Sequence, residues 1–115
     1  MLSWEDVRRI ALALPEAHES DHFGAPSFRV RKKIFASQGR DGPALVIKFE
    51  PEDQQNLSLA HPGLIEPMVG TGRVARAGAQ GWSTLHYERC DEAFVAAMLK
   101  LAWSAFAPAR LVKGT

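Results

Sequence analysis

The sequence predicts an α+β fold: a two-layer sandwich in which an antiparallel sheet carries its helices on one face, in the order α-βββ-α-ββ-α, within a single domain spanning 1–115. Three observations predict it. Apolar residues recur with helical period near both ends of the chain, and short alternating segments joined by turn residues fill the middle. At 115 residues, 46% hydrophobic and 23% charged, the chain also fits one domain that buries roughly two-thirds of its unfolded surface.

The first helix starts at Ser3-Trp4-Glu5-Asp6, where Ser3 has the chemistry of an N-cap and Asp6 stands in the place of a capping-box acid. Val7, Ile10, Ala11 and Leu14 form its apolar stripe, and Pro15 ends it. The stretch from Pro15 to Pro26 reads as a polar connector. Ser27 to Val30 then alternates as a half-buried strand does, and Lys33 to Ser37 resumes after a reversal at Arg31-Lys32, which places Phe28 opposite Phe35 and Val30 opposite Lys33. Gly39-Arg40-Asp41-Gly42-Pro43 is a turn, and Ala44 to Phe49 is the third strand of a meander.

Pro51 opens a short helix with Glu52 and Asp53 in its first turn, Leu57 and Leu59 as its apolar contacts, and His61-Pro62-Gly63 at its end. Gly63 to Gly81 reads as a long loop with at most one short strand near Arg73 to Arg76. Trp82 to Tyr87 alternates cleanly, with Trp82, Thr84 and His86 on one face and Ser83, Leu85 and Tyr87 on the other. Asp91 caps the last helix, whose core face is Phe94, Val95, Met98, Leu99, Ala102, Ala105 and Phe106. Trp103 lies toward the flank of that face and is expected to be partly exposed. It leaves two readings open, a partner surface or a cap on the sheet edge.

Composition excludes several classes. No apolar run reaches the ~20 residues of a membrane span, and the N-terminus lacks the layout of a signal peptide, so a cytoplasmic location is expected with no membrane partner. Cys90 is the only cysteine; it cannot form an intramolecular disulfide, and beside His86 it reads as a small hydrophobe rather than a nucleophile. The net charge of +1 argues for no partner by itself. Its distribution is more telling, since Arg29, Arg31, Lys32, Lys33, Arg40 and Lys48 are set against a single acid, Asp41, in the segment from 29 to 48.

Two motifs invite catalytic or cofactor readings, and both fail on context. His18-Glu19-Ser20-Asp21-His22 matches H-E-x-x-H, but that chemistry needs a helix to bring both imidazoles to one Zn²⁺, and only about ten residues separate the flanking prolines. Gly70-Thr71-Gly72-Arg73-Val74-Ala75 matches G-x-G-x-x-A, yet a β-prone segment is expected to follow it instead of the helix of a βαβ unit. The pairs Glu50/Glu52 and Glu16/Glu19 sit at helix edges where solvated acids are common, and no G-x-S-x-G turn exists. No catalytic residue, no metal and no cofactor is expected, and the chain reads as a non-enzymatic domain.

The basic hairpin is the strongest functional feature. Arg31, Lys32 and Lys33 at its tip can project toward phosphates as a wing does, with Arg29 behind them and Arg73 and Arg76 as additions from the loop; Trp82 and His86 can stack on bases if exposed. Leu14-Pro15-Glu16, His22-Phe23-Gly24-Ala25-Pro26-Ser27-Phe28-Arg29-Val30 and Lys33-Ile34-Phe35-Ala36 resemble the "LPE…HFGxPxFrVxgKiFa" pattern of the MmcQ/YjbR-like proteins. Gly81 to Leu85 resembles that family's "GW-s-v" strand, and Trp103-Ser104 its final helix. The resemblance implies a secretion-chaperone-like α+β domain with a double-wing DNA-binding character, places HESDH in a connector, and carries no catalytic residues. Lys32 departs from it, standing where the family often has glycine. The expectation is a monomer or weak homodimer that binds DNA non-specifically through phosphates; the alternative is a protein-interaction or dimerisation module using the sheet or the C-terminal helix.

Overall fold

The computed structural model describes residues 1–40 and 42–114; Asp41, the acid set against the basic segment and part of the expected turn, lies outside the described residues. Eleven regular elements follow in the order α1 (Trp4–Leu12), β1 (His18–His22), β2 (Ala25–Val30), β3 (Lys33–Gln38), β4 (Leu45–Lys48), α2 (Pro51–Ala60), β5 (Ile65–Pro67), α3 (Arg73–Ala79), β6 (Trp82–Leu85), α4 (Glu92–Ser104) and α5 (Ala109–Lys113), with a 3-10 turn at Tyr87–Arg89. The six strands form one antiparallel sheet in the order β1-β2-β3-β4-β6-β5.

Local signals place most of these elements. Ser3 and Asp6 form the capping box, each side chain bonding the other's backbone N–H, which satisfies two of the N–H groups a helix start leaves open. Val7, Ile10 and Ala11 are buried as the helical stripe requires. α1 packs on α4, and α4 lies over β3 and β4. The core between them holds Phe28, Val30, Phe35, Leu45, Ile47, Leu85, Leu99 and Trp103, with Trp4 stacked on Phe28 at 5.4 Å between ring centroids.

Several expectations are corrected. His18–His22 is an edge strand paired with β2, not a connector. Val30 does stand opposite Lys33, but a register shift between Phe28 and Arg29 pairs Phe28 with Ala36. The bulge leaves Phe35 and Ala36 both buried, because an inserted residue breaks the alternation of faces. In α2 the buried residue is Gln54, not Leu59, which is 75% exposed. Gln54 Nε2 donates to the Gly78 carbonyl, the Trp82 carbonyl and Ser83 Oγ at 3.0, 3.0 and 3.1 Å, so a polar clamp holds α2 beside Leu57, which packs against the core as expected. The segment after Gly72 is helical and not a strand. At the C-terminus Ala105 is exposed, and Trp103 has no solvent exposure and donates through Nε1 to the Pro15 carbonyl at 3.0 Å.

Candidate functional site

Alternation along the strands sorts side chains between two faces. Phe28, Val30, Leu45, Ile47 and Leu85 turn toward α1 and α4. On the opposite face one row crosses the whole sheet through registered partners: Ser20, Ser27, Ser37, Val46, Thr84 and Glu66. The neighbouring rows carry His22 beside Ala25, Arg29 between His18 and Ile34, and Lys48 opposite Trp82.

That second face is a trough. A groove of about 480 Å³ is lined by His22, Ser37, Arg40, Val46, Val74 and Thr84 among others. Its continuation toward the β2–β3 turn brings His22 together with Ile34, Met68, Ala77 and Trp82. His22 belongs to one edge strand, while Met68 directly follows the other. In a flat six-stranded sheet these edges would stand about 24 Å apart, so the sheet must curl to bring them to one groove. The β2–β3 bulge favours such curling, because bulges sharpen strand twist. α3 supplies one wall through Val74 and Ala77, which is how the segment expected to be a loop enters the site.

Around this trough the expected residues take unequal positions. Arg31 and Lys32 occupy the β2–β3 turn with φ of +52° and +68°, and with Lys33 they are exposed. Arg29 is no part of the tip. It lies half-buried on the trough face, where its guanidinium donates to the Asp21 carbonyl at 3.2 Å and to Ser27 Oγ at 3.3 Å. Arg73 and Arg76 are exposed and one turn apart on α3, the helix whose Val74 and Ala77 line the trough. Trp82 is half-buried in its wall. His86 is drawn away from the cations, with Nε2 at 2.8 Å from Glu66 Oε1.

Two further cations join the set. Arg40 reaches the Phe23 carbonyl at 3.4 Å, and Lys48 Nζ donates to the Gln80 and Phe49 carbonyls. Both were visible in the basic run from 29 to 48, but their approach to α3 and to the β1–β2 turn depends on sheet closure.

The ion pairs sort with the faces. On the helical side Arg8 pairs with Glu19, Arg9 with Glu92 at 2.6 Å, and Arg110 with Glu16 at 2.9 Å. The hydrogen bonds that Arg8 and Arg9 donate to Glu19 and Glu92 accordingly push these guanidiniums above their ordinary values. Among the described residues, none of Arg29, Arg31, Lys32, Lys33, Arg40, Lys48, Arg73 and Arg76 has a carboxylate within ion-pair distance. These eight sit on the strands, turns and helix that build the concavity; Arg89, which donates to the Gly63 carbonyl, and Lys113, at the end of α5, likewise have no carboxylate partner among the described residues but lie on other elements.

The rejected motifs now have a geometric account. In β1 His18 and His22 share the trough face, while Glu19 turns to the other side and meets Arg8 on α1. Four residues of strand separate the histidines by about 13 Å, far beyond the ~4 Å that two Zn–N bonds span. No group of three His, Cys, Asp or Glu residues that could hold a metal occurs among the described residues. A helix, not a strand, follows Gly70-Thr71-Gly72, but β5 and β6 on either side of it are adjacent and antiparallel, so this is no βαβ unit. Cys90 is half-buried, and burial pushes its thiol up, away from thiolate character. No helix among the described residues is long and apolar enough to cross a membrane.

Comparison with known proteins agrees with this architecture. The crystal structure of the Deinococcus radiodurans protein DR2400, a DUF419 domain, superposes with a TM-score of 0.73 over 99% of this chain and 88% of that one, at 20% sequence identity, a likeness of fold. No curated protein matches the chain. A family model described as YjbR matches residues 12–105, from the last turn of α1 to the end of α4. The chain belongs to the YjbR family.

Proposed function

We propose that this YjbR domain is a binding domain for nucleic acid, contacting DNA mainly through its phosphates with little reading of base sequence. The observation that carries this reading is the sorting of charge. Arg8, Arg9 and Arg110 on the helical side are matched with acids, whereas the eight cations around the trough and on the β2–β3 turn have no carboxylate partner among the described residues. A small domain gains little stability from unpaired cations held near one another, because like charges repel; a polyanion that displaces its counterions would favour the arrangement. Arg31, Lys32 and Lys33 are the outermost of the set and make the first contact.

Fluorescence anisotropy with a labelled random-sequence duplex at two salt concentrations tests this. Affinity should fall steeply with salt, and replacing Arg31, Lys32 and Lys33 together by Ala should weaken all sequences alike and reduce the salt slope by about 3. Absence of binding at ~0.1 mM protein in low salt, or binding indifferent to salt, rejects the proposal.

A further inference from the structure

We infer that the trough itself takes single-stranded nucleic acid, with bases lying on its floor and phosphates on its rim; the inference rests on the phosphate-binding reading above and specifies its ligand. Three features of the trough point there.

The first is shape. A groove of about 480 Å³ walled by β1 and α3 admits flat rings entering edge-on, but a duplex is about 20 Å across and would bridge its mouth without touching the floor. The second is the placement of charge. Arg31 to Lys33 stand at one end of the strands, Arg40 at the other beside Phe23, and Arg73 and Arg76 on the α3 wall. Cations at both ends and along one side suit a flexible chain laid lengthwise, whereas a rigid duplex meets a single convex face. The third is the floor. Trp82, Ile34 and Met68 supply apolar surface at the turn end, and Trp82 is half-exposed although the other two tryptophans pack into or against the core. An indole open to a cationic groove is a stacking platform.

Ser37 and Thr84 complete the surface. They flank Val46 in one row, and among the described residues neither hydroxyl has a hydrogen-bond partner. Each can give and accept one bond at a base edge without preferring a particular base. An acidic peptide would satisfy the cations equally well but brings no flat ring to Trp82.

The experiment compares a fluorescein-labelled oligothymidine of about twelve nucleotides, within the site size of a single small domain, with a duplex of equal length at low salt. The oligothymidine should bind at least ~5-fold more tightly, and Trp82→Ala should lower its affinity ~5- to 100-fold with duplex binding unchanged, while Trp82→Phe restores most of it. Val46→Glu, which puts a negative charge on the floor and leaves Trp82 in place, should likewise reduce single-strand binding alone. The inference is overturned if the duplex binds as well as the single strand, if Trp82→Ala weakens neither, or if poly-glutamate of equal charge displaces the oligothymidine at equal concentration. In the first two cases, salt-sensitive binding lost on replacing Arg31, Lys32 and Lys33 would still uphold the phosphate reading; no binding of either probe would end both.

Discussion

The indole nitrogen of Trp103, near the end of α4, donates at 3.0 Å to the carbonyl of Pro15, three residues beyond the end of α1. This single contact joins parts of the chain 88 positions apart beside the packing of α1 on α4. The indole is fully enclosed, so of the two readings open for Trp103 the partner surface is excluded. Trp103→Phe should therefore cost about 1–3 kcal/mol by leaving the carbonyl unsatisfied, and Trp103→Ala about 3–5 kcal/mol. Urea unfolding measures both; nucleic-acid affinity, referred to the folded fraction, should not change.

Lys32 adopts a left-handed conformation, φ +68°, next to Arg31 at +52°. Non-glycine residues reach this region at a cost, and a two-residue hairpin whose central residues both have positive φ favours glycine in the second place. Lys32→Gly should stabilise the domain by about 0.5–1 kcal/mol while reducing phosphate binding. Thermal melting and anisotropy on the same protein read the two effects in opposite directions.

Gly81 and Gly63 both have positive φ, +109° and +82°, but a Cβ on Gly81 would lie 1.8 Å from the Phe49 carbonyl oxygen whereas one on Gly63 would meet nothing within 4 Å. Gly63→Ala should cost only the backbone strain, about 1 kcal/mol. Gly81→Ala must also separate β6 from the end of β4, where Phe49 N–H bonds the Gly81 carbonyl at 3.0 Å, and should lose more than about 3 kcal/mol. Chemical denaturation of the two variants side by side checks the ranking.

Asp6 is held below the ordinary carboxylate range, first by the hydrogen bond from the Ser3 backbone N–H and then by that from the Ser3 hydroxyl. A depressed pKa in the folded state gives stability that is fully present above the unfolded value and lost as pH falls through the folded one. Asp6→Asn should thus be less stable than the parent near neutral pH, and the gap should close in acid. Urea midpoints at about pH 6 and about pH 2 decide it; an equal gap at both would show that the carboxylate's charge plays no part.

Signals confined to neighbouring residues were enough for the helix caps at Ser3 and Asp91, the reversal at Arg31-Lys32, the stripe of α1 and the faces of β6. Each depends on a side chain and a backbone group a few positions apart. The same signals failed where a partner from elsewhere decides the state. HESDH carries no β-prone alternation, yet it is a strand because β2 offers it an open ladder. Arg73–Ala79 is flanked by glycines and too short to be helical alone, and it winds because it has a sheet face to cover.

The cations of the candidate site could be counted along the chain, and the α+β class with its antiparallel sheet followed from pattern and turns. Which cations keep a carboxylate partner, and which are left facing a common hollow, depended on a curled sheet that brings β1 within reach of Met68 and on a helix laid over its far side. Pairing of charges is a matter of distances across the fold, and linear spacing holds no record of them.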